Sequence, residues 1–263
     1  MTWTQEVIGR WEAGEISREI ALARLLLSGD APDPATLPEP LAELARAQGS
    51  RMQHLAGLAR DGFDADDVPG AAALFDRLSA NAPEAGVAFY ALGDPALLAR
   101  ATDELVAVIR GWTSVEGARV LDYGCGIGRV AAALASYARE VVGVDVSAGM
   151  VAEAERRAQA PNLRFEQVDG RTLAGFADGA FDLVVAADSF PFLVRAGVVD
   201  GALAEIARVL RPGGNLLVFN WSYRCDPALD ATDARAVPGF RAVRAGETPF
   251  AIWDGAGFHL RRL

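Results

Sequence analysis

The stretch "VLDYGCGIGRVAAALASYAREVVGVDVS", residues 120–147, decides the fold. A strand-length apolar run, Arg119 to Tyr123, enters a loop with glycine at every second position, Gly124, Gly126 and Gly128, with Cys125 between the first two. A helix-like segment at 127–138 follows, and a second apolar run closes on Asp145. Glycine permits positive φ and places no side chain between backbone and ligand, so this loop reads as a binding turn. A carboxylate flanks it on each side: Asp122 stands two residues before Gly124, and Asp145 stands 17 residues past Gly128.

Working outward toward the C-terminus, the same alternation continues. "EVVGVDV" (140–146), a helix at 147–160, "LRFEQVD" (163–169), "FDLVVAAD" (181–188), a helix at 196–210 and "NLLVFNW" (215–221) follow in turn. Short apolar strands separated by amphipathic helices indicate an α/β fold: a doubly wound, mostly parallel, seven-stranded sheet with helices on both faces. Crossovers are expected to be right-handed, and a ligand is expected at the carboxyl ends of the strands. Beyond residue 222 the periodicity weakens. "ATDARAV" reads as a poor helix, "GFRAVRA", "TPFAIW" and "FHLRRL" as strands, and Asp254-Gly255 as a hairpin signal between the last two.

Working toward the N-terminus, residues 1–85 read as a helical extension of the domain at 86–263. Ile16, Ile20, Ala23 and Leu27 recur at helical spacing, and Ser28-Gly29 stops that helix. A loop with Pro32, Pro34, Pro38 and Pro40 precedes helices expected near 39–60 and 70–80. "GDPALLARATDELVAVIRGW" is expected to be a helix capped by Asp94, with Pro95 in its first turn. The extension is either a lid over the site or a dimerisation arm that would make the protein a homodimer.

Composition narrows the partners. The chain has 263 residues, 51% of them hydrophobic, with mean hydropathy +0.17, which suits a packed core rather than disorder. No apolar run is long enough to span a membrane, and the acid-bearing N-terminus does not read as a signal peptide. Cys125 and Cys225 are isolated, so a reducing cytoplasm is expected and neither a disulfide framework nor a metal site is. The formal charge of −10 opposes binding to a phosphate backbone. All 25 basic residues are arginine, which excludes lysine chemistry such as Schiff bases.

The loop itself discriminates between ligands. A dinucleotide fingerprint needs G-x-G-x-x-G, whose third glycine would fall on Arg129 here; the spacing found is G-x-G-x-G. Asp122 at the strand end would repel a pyrophosphate and suit an ammonium group. Asp145, ending the next strand, can accept both hydroxyls of a ribose. A ligand with a ribose, a positive charge and no phosphate fits S-adenosylmethionine, and a nicotinamide oxidoreductase fits poorly.

These segments resemble the class I, seven-stranded, Rossmann-like S-adenosylmethionine-dependent methyltransferases of the small-molecule type. "VLDYGCGIGR" resembles their first motif, "VVGVDVSAGMV" the ribose-binding motif and "FEQVDGRTL" the third-strand segment. "FADGAFDLVVAADSF" resembles the fourth strand, and "EIARVLRPGGNLLVF" the helix, turn and fifth strand. The likeness covers about residues 90–220, with five motifs in order. It implies that Gly124, Gly126 and the backbone between them lie against the methionyl part of the cofactor. It further implies that Asp145 takes the ribose hydroxyls, Val146 and Met150 flank the adenine, and Asp169 with Gly170 reads its edge. Asp188 would lie between cofactor and acceptor. Asp122 either holds the cofactor's amine or braces the loop. Asp188-Ser189-Phe190-Pro191-Phe192 lacks the double proline of nucleic-acid amino-methyltransferases, so a small-molecule acceptor is expected and no nucleic acid. His54 and His259 are the only histidines and make poor candidate bases; no residue is identified as catalytic. The rival function is a catalytically silent protein that binds the cofactor as a regulator or accessory subunit.

Overall fold

The computed structural model describes residues 2–28, 31–61, 65–224 and 226–263; Gly29, expected to stop a helix, and Cys225 lie outside them. The chain forms two compact units that interleave in sequence. One contains residues 1–64, 82–101 and 250–254, and the other 65–81, 102–249 and 255–263. Residues 65–81 of the expected extension thus belong with the sheet, and 86–101 with the helical unit.

The helical unit contains α1 (Trp3–Glu12), α2 (Arg18–Leu26), α3 (Glu39–Gln48) and α4 (Arg51–Asp61). Ser17 caps α2, its hydroxyl accepting from the Ile20 N–H at 3.1 Å. The expected stripe is broader than read: Ala21, Leu22 and Leu26 are also buried, while Leu27, just past the helix, is 50% exposed. The single helix expected over 39–60 is two, broken at Gly49, whose φ of +53° cannot continue a helix. "TPFAIW" is not a strand. Trp253 stacks on Tyr90 with centroids 5.4 Å apart, Ser17 Oγ donates to the Ile252 carbonyl at 2.9 Å, and Arg24 pairs with Asp254 at 2.6 Å. These contacts draw the segment out of the sheet, and Asp254-Gly255 sits in a long connection rather than a two-residue turn.

The second unit is built on β1 (Arg119–Tyr123), β2 (Glu140–Asp145), β3 (Leu163–Gln167), β4 (Phe181–Ala187), β5 (Leu210–Phe219), β6 (Phe240–Glu247) and β7 (Gly257–Arg262). Their order is β3-β2-β1-β4-β5-β7-β6, with β7 antiparallel to both neighbours and every other pairing parallel. This is the expected doubly wound architecture. Its helices are α5 (Val68–Asn81), α8 (Arg129–Ala135), α9 (Ala148–Arg157), α10 (Phe190–Arg195), α11 (Val199–Val209) and α12 (Pro227–Ala236); α6 (Pro83–Val87) lies in the helical unit. α7 (Pro95–Trp112) begins in that unit and ends in this one, and Asp94 caps it by accepting from the Ala96 N–H at 2.9 Å.

Val120, Leu121, Val142, Val144, Val184, Ala186, Leu216 and Val218 are fully buried, as central parallel strands covered on both faces require. Strand order reverses between β1 and β4, with Asp122 paired in register to Gly143 on one side and Val185 on the other. That reversal opens a crevice at the carboxyl ends of β1 and β4.

Candidate cofactor site

The crevice is lined by the loops that leave β1, β2, β3 and β4. After Tyr123 the chain turns sharply, with the Gly124 and Cys125 N–H groups both donating to the Val144 carbonyl, at 2.8 and 2.9 Å. Gly124 and Gly128 have φ of +79° and +77°. Their missing side chains also make room for protein atoms. A Cβ at Gly124 would lie 2.4 Å from Ser189 Cβ, and one at Gly128 would lie 2.6 Å from Phe165 Cζ. Glycine at both positions is therefore required by backbone conformation and by internal packing, quite apart from a ligand. Cys125 is buried, and burial pushes its thiol well above the usual range, so it stays protonated and is no nucleophile.

Asp122 is 1% exposed, and its carboxylate accepts from the Ala131 N–H at 3.0 Å in the first turn of α8. Of the two roles open to it in sequence, bracing the loop and helix is the one this contact displays. Burial raises its pKa to about 7 against the pull of the nearby Arg129 guanidinium. Arg129 itself donates to Thr102 Oγ1 at 3.1 Å.

Asp145 is also buried. One oxygen accepts from the Gly126 N–H and the other from the Ser147 N–H, both at 2.9 Å. These bonds tie the ends of β1 and β2 together around one carboxylate. Burial outweighs them and holds its pKa above the ordinary value. An ionised carboxylate offers about four lone-pair sites, so acceptor capacity remains for further donors such as a pair of hydroxyls.

The other sequence-selected residues follow around the rim. Val146 is half-buried, and its side chain approaches Gly170, where a Cβ would lie 2.6 Å from Val146 Cγ1 and 2.7 Å from Val68 Cγ1. Met150 is fully buried in α9. Asp169 is exposed and accepts from the Arg171 and Thr172 N–H groups at 2.8 and 2.7 Å, which hold its pKa below the ordinary value. Asp188 follows β4 at φ +62°, a strained conformation for a residue with a side chain. Its Oδ1 accepts from Asn220 Nδ2 at 2.7 Å and from the Tyr223 hydroxyl at 3.1 Å.

Three contributors escaped the sequence reading. Asn220, after β5, shares the left-handed conformation of Asp188 at φ +70° and nothing in its neighbours signals it. Ser147 is legible as a helix cap, its hydroxyl accepting from the Met150 N–H at 3.0 Å. Asp76 on α5 reaches Ser147 from 71 residues away, and no local pattern announces it. His259 is remote from the crevice. It pairs with Asn215 in the middle of β5, and burial lowers its pKa to about 4. Among the described residues no cluster of histidine, cysteine and acid side chains could hold a metal ion.

Comparison with known proteins agrees with this geometry. Residues 120–214 match a family model described as "Methyltransferase domain". A demethylmenaquinone methyltransferase of Beutenbergia cavernae is 45% identical over 106 residues, 40% of this chain and 42% of that protein. An S-adenosyl-L-methionine-dependent Diels-Alderase of Talaromyces variabilis is 31% identical over 144 residues, 52% of this chain and 48% of that one. The chain thus spans about half the length of these curated relatives. In fold, it is similar to magnesium protoporphyrin IX methyltransferase from Synechocystis PCC 6803 solved with S-adenosylmethionine. That likeness has a TM-score of 0.56 and 20% identity, over 77% of this chain and all of that one. The glycine loop, the two buried acids, the sheet order and these matches agree: residues 120–214 are a methyltransferase domain, set in a sheet with the class I, Rossmann-like methyltransferase fold.

Proposed function

We propose that this protein binds S-adenosylmethionine at the carboxyl ends of β1, β2 and β4 and moves its methyl group to an O, N or C atom of a small molecule. The observation that carries the proposal is Asp145: a buried carboxylate at a strand end, oriented by two backbone N–H groups and with acceptor capacity to spare. In this reading Asp145 accepts the ribose hydroxyls, and Gly124, Cys125, Gly126 and Gly128 shape the loop beside the methionyl group. Asp122 holds that loop and supplies negative charge toward an ammonium. Val146 and Met150 border the adenine, Asp169 and Gly170 its edge. When bound, the sulfonium supplies an already activated methyl group, so the protein's tasks are to align the acceptor and exclude water. Asp188, held by Asn220 and Tyr223, faces the acceptor. A base is needed only when the attacking atom must lose a proton.

Two observations support a small acceptor. The charge of −10 disfavours nucleic acid, and the 45% identical relative is named for demethylmenaquinone. Among the described residues no helix is long and apolar enough to cross a membrane, and a cytoplasmic enzyme is the reading we adopt. Of residues 1–85, which the sequence offers as a lid or a dimerisation arm, 65–81 form α5 beside the sheet, and we read α5 as part of the acceptor pocket's cover because it packs on α9 and α10. A second reading, cofactor binding without methyl transfer, is favoured by the Diels-Alderase relative. Incubation with methyl-labelled S-adenosylmethionine and a panel of quinol, phenol, amine and acid acceptors tests the choice. Label in a small-molecule product with matching S-adenosylhomocysteine supports transfer. Binding without transfer across the panel supports the second reading, and no binding refutes both.

A further inference from the structure

α5 lies outside the matched methyltransferase segment, yet it is bonded directly to the ribose-side turn. Asp76 Oδ1 accepts from the Ser147 hydroxyl at 2.6 Å and from the Gly149 N–H at 2.9 Å. The two helices approach so closely that a Cβ at Gly149 would lie 2.2 Å from Ser79 Oγ. At its other end α5 sets Val68 against Gly170, and Phe75 packs edge-on to Phe192 of α10 with centroids 5.1 Å apart. From Asp76 the bonds continue inward. The Ser147 N–H donates to one oxygen of Asp145, and the other oxygen accepts from Gly126.

We propose that Asp76 is a positioning residue for the cofactor's ribose, acting through Ser147 on the Asp145 carboxylate; this rests on reading the crevice as the S-adenosylmethionine site. A serine hydroxyl has one proton and two lone pairs. The Ser147 hydroxyl donates its one proton in the hydrogen bond to Asp76, which leaves an Oγ lone pair directed at the Met150 N–H and fixes the turn. The Ser147 N–H is then held where Asp145 needs it, and the carboxylate cannot rotate without breaking a bond at each oxygen. A negative charge so near Asp145 opposes ionisation there, so the arrangement is costly electrostatically. Its return is geometry: a carboxylate already oriented before ligand arrives loses less freedom on binding.

Calorimetry on the full chain with S-adenosylhomocysteine and its 2′-deoxyribose counterpart tests this. Asp76→Ala should weaken binding of the first ligand about tenfold, the worth of about one charge-assisted hydrogen bond. The same variant should cost the deoxy ligand less than about threefold, because one hydroxyl that Asp145 would hold is missing. Asp76→Asn, which keeps an acceptor oxygen and drops the charge, should recover most of the affinity. Equal losses for both ligands, or none for either, would overturn the proposal. If Asp76→Ala does not fold, Ser147→Ala must show the same ribose-dependent loss or the proposal fails. Amide exchange on the ligand-free protein separates this from the function itself. The proposal requires faster exchange at Gly126 as well as at Gly149 in Asp76→Ala, and change at Gly149 alone contradicts it. Wild-type protein that binds neither ligand refutes the proposed function instead.

Discussion

Replacing Asp122 with asparagine should make the fold more stable at neutral pH, and the gain should vanish in acid. The carboxyl is 1% exposed, and its burial raises the pKa from 3.8 to about 7 despite Arg129. A carboxyl with a raised folded pKa binds its proton more tightly in the folded than in the unfolded chain. Its contribution to stability is therefore greatest below pH 3.8, falls as pH rises from 3.8 to 7, and is level above 7. At about 1.4 kcal/mol per pH unit, that window corresponds to a loss of about 4 kcal/mol. Asp122→Asn keeps an oxygen for the Ala131 N–H and cannot ionise, so it escapes the loss; it also gives up the attraction of Arg129. The expected stabilisation relative to wild type is near zero at pH 4 and about 2–4 kcal/mol at pH 8. Urea unfolding of both proteins between pH 4 and 8 measures the difference. The difference is the quantity to read, because His259, held at about pH 4, contributes an opposite trend to both proteins: its stabilisation is present above 6.5 and fades as pH falls toward 4. A difference that stays constant from pH 4 to 8 would refute the account of Asp122 as a buried charge retained at a cost. The same variant should bind S-adenosylhomocysteine more weakly, since the proposed role of that charge is to face an ammonium group.

Gly128→Ala combines a φ of +77° with a Cβ 2.6 Å from Phe165, and should destabilise the protein by about 1–3 kcal/mol in urea unfolding. Wild-type stability would show that the loop relaxes freely. Tyr223→Phe removes the hydroxyl that donates to Asp188 from a residue 53% exposed, so stability should move by less than about 0.5 kcal/mol. If Asp188 faces the acceptor, the acceptor KM of this variant should rise by about threefold or more, with S-adenosylhomocysteine affinity unchanged. An unchanged KM would remove Tyr223 from the acceptor side.

The central fold was legible because its signals are local. Strands β1, β2 and β4 are short runs buried on both faces, and each is visible as an apolar segment between helical ones; β3, at the sheet edge, buries only Phe165. The sharp turns were equally visible, since Gly124 and Gly128 adopt conformations that few other residues tolerate. What was hidden depends on partners distant in sequence. "TPFAIW" has strand composition, but Trp253 finds Tyr90 and Asp254 finds Arg24, so the segment leaves the sheet. Asp76 looks like any surface acid on an amphipathic helix until α9 is laid beside it. The two compact units interleave because the chain returns to the helical unit at 250–254, which no cut at a single residue could anticipate. Asp122 and Asp145 were recognisable as residues of interest, but their hydrogen-bond partners were not: each turns toward backbone N–H groups of loops and helices that exist only once the sheet has formed.

Calorimetry with S-adenosylhomocysteine on wild type and Asp145→Ala decides whether Asp145 is the ribose acceptor of an S-adenosylmethionine site. Wild type should show saturable one-to-one binding. The folded variant should lose at least tenfold in affinity, since two hydroxyl bonds to a carboxylate are worth about 1.5–3 kcal/mol each before compensation. A folded Asp145→Ala protein with wild-type affinity, or a wild-type protein that shows no binding, would contradict that assignment.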